Sequence, residues 1–229
     1  MGDNGAGKST LIKIISGTYQ PDAGEYTFEG KPVHVRGPRD VTALGIATVY
    51  QDLALCDNLD VVANLYLGRE EASFPAGPLS VLDEVHMEQR SIEVLRGLSV
   101  KIPSVRIPIA SLSGGQRQSV AVARAVMWDA KVVLLDEPTA ALGVPQTRQV
   151  LDLIMRLRDR GLGVVVISHN LADVFEVVDT IVVLRLGRQV AAFDVKTASR
   201  EQVVAAITGA ELGVPVEDDA EPDETELPA

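Results

Sequence analysis

The sequence contains a single cysteine, Cys56, among its 229 residues. One thiol excludes an internal disulfide and a multi-cysteine metal cluster, and such sparing use of cysteine fits a reducing compartment. We expect Cys56 to be a small buried side chain. No apolar run approaches the roughly 18 residues that a membrane-spanning helix needs. The first residues also lack the basic flank and apolar run of a secretory signal. These absences predict a cytosolic chain.

Basic charge is scarce as well. The formal net charge is −11, with 21 Lys and Arg against 32 Asp and Glu. Because no basic stripe is present to neutralise phosphates, we expect no nucleic-acid partner. Seven acidic residues and three prolines lie in the segment 213–229, which has almost no large apolar side chain. This composition is typical of disorder, so we predict one folded domain over 1–212 and a disordered acidic tail over 213–229.

Three short runs rich in Val, Ile and Leu, at 131–137, 163–169 and 180–186, predict buried parallel strands. A helical pattern that stops at Gly161 separates the first two runs. Strand, helix and strand in this order are the unit of a parallel sheet with helices on its faces. The sequence therefore predicts an α/β fold.

Two other stretches add to this fold. "EYTFEGKPVHV" alternates and turns at 29–31, which predicts an antiparallel hairpin, and 45–52 predicts another short strand. From about 53 to 127 the pattern changes to helical pieces without a comparable strand. We interpret this region as an inserted α-helical subdomain, so the predicted core is a mostly parallel sheet with flanking helices and a small antiparallel part.

The segment "GDNGAGKST" at 2–10 matches the P-loop pattern G-x-x-x-x-G-K-[ST]. Its glycines let successive backbone N–H groups face a phosphate, and the helix that follows adds the positive end of its dipole. Lys8 would reach the β- and γ-phosphates, and the Ser9 hydroxyl would hold Mg²⁺. Taken alone, the segment could also be a flexible glycine-rich loop. The predicted nucleotide-binding residues are Gly2, Asn4, Gly5, Gly7, Lys8, Ser9 and Thr10.

Two further segments decide between these alternatives. In "VVLLDEP" an apolar strand delivers Asp136 and Glu137 at its carboxyl end, where ligands of α/β sheets bind. In "SLSGGQRQSV" Ser113 is placed to cap a helix whose N-terminus is open to an anion. Either segment alone has a structural explanation, a strand end or an ordinary cap. A second "LDE" precedes a helical pattern, and there we expect Asp83 to be an N-cap.

Together, these motifs resemble those of the ATP-binding subunit of an ABC transporter. "GDNGAGKST" resembles Walker A, "VYQD" the Q-loop, "LSGGQ" the ABC signature, "VVLLDEP" Walker B, "AALG" the D-loop and "VISHN" the switch histidine. The motifs stand in the family's order over residues 2–170. The resemblance implies ATP and Mg²⁺ as cofactors. It implies catalytic roles for Glu137, His169 and Gln51, metal binding by Ser9, Gln51 and Asp136, and nucleotide contacts from Ser113, Gly114, Gly115 and Gln116.

The resemblance also implies partners. Each motif occurs once, so ATP would be sandwiched in a homodimer or between this chain and a similar ATPase subunit. Permease subunits would dock near 53–69, and an external sugar-binding protein would act indirectly. Several segments are similar to the sugar-importer branch that serves ribose, xylose or fructose. The chain would then lie on the inner face of the cell membrane as a peripheral cytoplasmic subunit that powers sugar import.

Two departures from the family pattern keep other interpretations open. Gly143 stands where most of the family has Asp in the D-loop. The chain also begins at the P-loop, and family members carry a strand before it. We therefore expect roughly 30–40 upstream residues to be missing, in keeping with the length of a βαβ unit, and a gap beside the strand at 131–137. The alternatives are a non-hydrolysing nucleotide-binding regulator or remnant, and a soluble ABC ATPase unconnected with transport.

Overall fold

The computed structural model describes residues 1–74 and 81–210. Its strands are β1 (Thr27–Phe28), β2 (Lys31–Pro32), β3 (Ile46–Val49), β4 (Ala72–Phe74), β5 (Val81–Leu82), β6 (Val132–Asp136), β7 (Gly163–Ile167), β8 (Thr180–Arg185) and β9 (Arg188–Asp194). Its helices are α1 (Lys8–Ile15), α2 (Pro38–Ala43), α3 (Val61–Tyr66), α4 (Glu84–Gly97), α5 (Gly114–Val126), α6 (Val144–Asp159), α7 (Leu171–Val177) and α8 (Arg200–Thr208).

The central sheet is parallel and has the order β3–β6–β7. The middle strand, β6, alternates between its two faces. Leu134 packs with Ile12 of α1 and Val41 of α2, whereas Val133 and Leu135 pack with residues of α3, α5 and α6. Helices therefore cover both faces of the sheet, as buried strands of a parallel sheet require. The predicted α/β fold is confirmed.

Several local predictions are confirmed. β1 and β2 form the antiparallel hairpin, and Glu29 and Gly30 have the positive φ angles that a tight two-residue turn needs. Helix α6 ends before Gly161, whose φ is +84°. Asp83 caps α4, because its Oδ1 accepts a hydrogen bond from the backbone N–H of His86.

The prediction for 180–186 is wrong. β8 is not a strand of the parallel sheet but pairs antiparallel with β9. Along β8 the odd positions Ile181 and Val183 are buried and Val182 is exposed, as in a strand with one covered face. The apolar run hid this alternation, because the outward positions Val182 and Leu184 are also apolar. The partner strand β9 was not predicted at all.

The predicted helical region contains α3, α4 and α5, with the short pair β4 and β5 between them. Buried side chains of these helices belong to the same apolar cluster as Val133 and Leu135 of β6. That 53–127 is a separate subdomain stays a prediction. The proposed tail at 213–229 lies outside the described residues.

The predicted gap is in a different place. β6 is paired on both sides, by β3 and β7, so no gap lies beside it. Among the described residues β7 is bonded only to β6, and an apolar groove of about 440 Å³ separates its other edge from β8. Beside β8, the amino group of Met1 donates to Val182 O at 2.6 Å, and the Leu184 N–H donates to Met1 O at 2.8 Å. Met1 thus forms a one-residue parallel pairing along this groove, which we call the β7–β8 groove.

Candidate functional site

The P-loop wraps around the start of α1. Gly5 and Gly7 have φ angles of +78° and +99°, which glycine adopts without strain, and Gly7 is the N-cap of α1. A side chain at Gly2 would collide with the carbonyl of Leu184 on β8, so only glycine fits there. Asn4, Ser9 and Thr10 are exposed. The loop therefore presents its polar groups to solvent, as a phosphate site requires.

Lys8 folds back over this loop. Its Nζ donates to the carbonyls of Gly2 and Asp3 at 2.8 and 2.9 Å. An ammonium group has three donors, so one remains for an incoming anion. The geometry holds the lysine charge at the mouth of the loop, beside the amino end of α1.

The ends of the three parallel strands bring the acidic residues, Gln51 and His169 to one edge of the sheet. Val49 pairs with Leu135, and Asp136 pairs with Ile167. Gln51, Glu137 and His169 therefore all follow their strands by one or two residues at the same carboxyl edge. Gln51 is exposed there. The register of the sheet assembles residues that lie more than 30 positions apart in sequence.

Glu137 and His169 are in contact. Glu137 Oε2 lies 2.8 Å from His169 Nδ1, but the two are not aligned as a hydrogen bond. Oε2 is buried and has no hydrogen-bond partner among the described residues. The Glu137 backbone has a φ of +50° and its N–H donates to Ile167 O at 2.9 Å. A carboxylate held in this strained conformation beside an imidazole is a candidate to accept a proton or to orient a water molecule.

Asp136 is half-buried at the end of β6. Burial raises the pKa of its carboxyl, and the neighbouring Glu137 raises it further, whereas Lys8 and Lys13 act in the opposite direction. A carboxylate that is destabilised in this way gains from a cation placed beside it. Within residues 1–74 and 81–210 no three His, Cys, Asp or Glu side chains cluster as a metal site. This donor set fits Mg²⁺, which commonly takes one or two carboxylates and completes its shell with phosphates and water.

Ser113 caps α5 as predicted. Its hydroxyl accepts from Gln116 N at 3.3 Å, and Gln116 Oε1 accepts from Ser113 N at 3.0 Å. Gly114 is exposed, and a side chain at Gly115 would come within 2.9 Å of the Gln146 side chain. Gln116 Nε2 also donates to Lys101 O. The exposed part of this helix end therefore consists of Ser113 and Gly114.

The site residues form two groups. The P-loop belongs to α1, which packs on the Leu134 face of the sheet, and α5 packs on the other face. No hydrogen bond or ion pair joins the two groups in the part of the chain that the structure describes. The structure thus brings together the P-loop, Asp136, Glu137 and His169 but leaves the α5 end apart. The roles of all these residues stay predictions.

Two contacts near the site were missed. The Tyr50 hydroxyl lies 3.0 Å from Ser16 Oγ and 3.3 Å from Thr18 Oγ1, which links the residue before Gln51 to the end of α1. Thr139 Oγ1 donates to Asp173 Oδ2 at 2.7 Å, which links the segment after Glu137 to α7. Both contacts join residues more than 30 positions apart. No sequence pattern marks them.

Comparison with known proteins gives concordant results. A family model described as ABC transporter matches residues 1–140. Xylose/arabinose import ATP-binding protein XylG of Sulfolobus acidocaldarius is 45% identical over 213 residues, covering 93% of this chain and 83% of that protein. Fructose import ATP-binding protein FrcA of Rhizobium meliloti is 47% identical over 213 residues, covering 92% and 82%. The dimeric structure of MJ0796, a bacterial ABC transporter cassette, is 25% identical with a TM-score of 0.68, covering 85% and 83%.

Proposed function

Because the chain belongs to the ABC transporter family, we propose that it is an ATP-hydrolysing subunit that powers import of a monosaccharide. The observation that carries the proposal is the meeting of the P-loop, Asp136 and the Glu137–His169 contact at one edge of the sheet. Two similar proteins named for xylose/arabinose and fructose import support the choice of sugar as the cargo class. The cargo itself would be selected by the permease and an external binding protein.

Each site residue has a distinct role in this proposal. The phosphates would be bound by the Lys8 ammonium and by the P-loop, whose other predicted contacts are Gly2, Asn4, Gly5, Gly7 and Thr10. Ser9, Gln51 and Asp136 would hold Mg²⁺, and the ion would supply neutralisation of phosphate charge. Glu137 would orient the attacking water. His169, whose side chain is 74% exposed, donates to the terminal phosphate and lies against Glu137.

The proposal includes a dimer. The α5 end and the P-loop lie on elements that pack on opposite faces of the sheet, so one chain does not bring them together. In a dimer, Ser113, Gly114, Gly115 and Gln116 of one subunit would complete the nucleotide site of the other. The dimeric cassette with the same fold supports this arrangement.

We also propose that the chain is a cytoplasmic subunit on the inner face of the membrane. No helix among the described residues is long and apolar enough to cross a bilayer. Attachment would come from permease subunits that dock near residues 53–69. An external sugar-binding protein would act on the complex through the permease, and no nucleic acid would be involved.

The test is Mg-ATP binding and hydrolysis by the 229-residue chain and three variants. Lys8→Ala removes the ammonium at the loop and should weaken Mg-ATP binding about 10- to 100-fold, the value of a charge-assisted hydrogen bond. Glu137→Gln should bind Mg-ATP normally and lose hydrolysis by about 100-fold or more, since it removes the residue that orients water. Lys31→Ala changes an exposed lysine on β2 and should alter neither.

The outcomes separate the alternatives. Binding without hydrolysis in the parent chain would identify a nucleotide-binding regulator instead of an ATPase. Binding that Lys8→Ala leaves intact would refute the P-loop assignment.

The choice of sugar as cargo is tested in cells. Cells with an inactivated gene should lose uptake of labelled xylose, ribose or fructose and regain it with the parent gene but not with Glu137→Gln. Normal uptake of every sugar would favour an ATPase unconnected with sugar import.

A further inference from the structure

Arg124 makes an unusual pair of contacts. It lies on α5, and its Nη1 donates to Ala54 O at 2.7 Å while its Nη2 donates to Leu53 O at 3.2 Å. Burial lowers the pKa of this guanidinium, and no carboxylate forms an ion pair with it among the described residues. The half-buried guanidinium thus donates hydrogen bonds to two successive backbone carbonyls some 70 positions away in sequence.

The segment that Arg124 holds is Asp52–Cys56, which follows Gln51 directly. Ala54 has a φ of +47°, which is strained for a residue with a side chain. At the far end, the fully buried Asn64 fixes the backbone of Cys56, since Asn64 Oδ1 accepts from Cys56 N at 2.7 Å and Nδ2 donates to Cys56 O at 3.0 Å. Between these attachments the segment has little freedom to move independently of Arg124.

The end of the segment nearest Gln51 is connected to the other group of site residues, the one that contains the P-loop. Tyr50 is bonded through its hydroxyl to Ser16 at the end of α1. Gln51 therefore lies between a residue tied to the P-loop helix and a segment tied to α5. The two groups of site residues, which make no direct bond with each other, are connected through this short stretch.

We propose that Arg124 is a positioning residue that couples helix α5 to the segment Asp52–Cys56, so that a nucleotide contact at the Ser113 end changes the conformation after Gln51. The inference rests on the proposed function. The planar guanidinium suits the task because its fork can hold two carbonyls at fixed angles. A lysine at the same place would supply a single point charge and would hold only one of them firmly.

Cys56 provides a built-in reporter of this segment. It is the only cysteine in the chain, and it lies two residues beyond Ala54. The expectation that it is buried is wrong, because its side chain is partly exposed. The rate at which a small thiol reagent modifies Cys56 therefore reports how open the segment is. We would measure this rate in the parent, Arg124→Met, Arg124→Lys and Arg96→Met, each with and without the Mg²⁺ complex of a non-hydrolysable ATP analogue. Arg96→Met makes the same change at an exposed position of α4 and is the matched control.

Binding of the analogue is measured in parallel by calorimetry. We expect the analogue to change the Cys56 rate several-fold in the parent and in Arg96→Met. Arg124→Met should bind the analogue but show the same Cys56 rate with and without it. Arg124→Lys should keep part of the change, which a residue needed only for folding would not predict.

The contrary results are distinct. A full nucleotide-dependent change in Arg124→Met would overturn the coupling role, and if that variant does not fold, a full change in Arg124→Lys would do the same. Binding of the analogue by a dimeric parent chain without any change at Cys56 would show that the segment carries no signal. A parent chain that binds the analogue and stays monomeric would overturn the proposed dimer and this coupling with it. If the parent fails to bind the analogue, calorimetry shows it directly, and the proposed function falls together with this inference.

Discussion

At the scale of single residues, the site contains a half-buried carboxylate, Asp136, and a lysine, Lys8, whose ammonium folds back on its own loop. Asp136 is half-buried beside Glu137, and both burial and that neighbour raise the pKa of its carboxyl. Lys8 remains bonded to two carbonyls of its own loop. A half-buried carboxylate such as Asp136 is costly in the protein alone and becomes favourable when a metal–phosphate complex joins it.

Because the folded protein disfavours the charged form of Asp136, we predict that Asp136→Asn increases stability against unfolding in a pH-dependent way. Since the pKa is raised in the folded state, the folded chain binds more protons than the unfolded chain between the two pKa values, and stability falls as pH rises through that window. Above that window the carboxylate is charged in both states and the penalty is complete. Thermal unfolding should therefore show Asp136→Asn to be more stable than the parent above that window, with the difference shrinking as the pH falls towards the ordinary aspartate pKa of about 4.

The matched control is Asp22→Asn, which changes an exposed loop carboxylate. It should shift the unfolding temperature little above that window or below it. The same Asp136→Asn chain should lose Mg²⁺-dependent ATP affinity, so that stability and binding move in opposite directions. An equal stability gain for Asp136→Asn at all pH values would show that its cause is not the carboxylate charge.

At the scale of the elements, the contrast between sequence and structure follows the range of the interactions. The P-loop, the hairpin β1–β2 and the caps Ser113 and Asp83 depend on neighbours within a few residues, so their sequence patterns suffice. The pairing of β8 is set by its antiparallel partner β9 and by the groove along its other edge. An apolar run in the sequence does not reveal which strand it will pair with. Contacts such as Tyr50 with Ser16 depend on the assembled sheet, and no local pattern encodes them.

Two helices carry the same cap, which allows a controlled test of α5. Ser113 with Gln116 and Ser199 with Gln202 both form reciprocal capping boxes. Ser113→Ala and Ser199→Ala should each cost about 1 kcal/mol of stability, a fall of about 2–4 °C in unfolding temperature for a chain of this size. Only Ser113→Ala should also lower the ATPase rate, by about tenfold or more, because only that helix end is proposed to meet nucleotide. An equal loss of rate in both variants would assign the effect to stability alone.

At the scale of the whole molecule, the β7–β8 groove lies along one of the two unpaired edges that the parallel sheet has among the described residues. In the described part of the chain β7 is bonded on one side only, Val165 on β7 and Val182 on β8 are 42% and 39% exposed, and Met1 already pairs with β8 in a parallel sense. Burial of the Met1 amino group lowers its pKa, and the nearby Lys8 charge lowers it further. The groove thus combines unpaired strand edges, apolar walls and an unfavourably placed charge.

These features predict that an added strand would stabilise the fold. Five β-branched residues fused before Met1 would continue its pairing with β8, pair with β7, cover the valines and move the terminal charge away from Lys8. Thermal unfolding should rise by about 3 °C or more, the equivalent of one or two net backbone hydrogen bonds, and the β7 amides should exchange more slowly with solvent. A Gly-Ser extension of the same length moves the charge without forming the strand. If it stabilised the chain equally, the gain would come from the displaced charge, and the groove would not accept a strand.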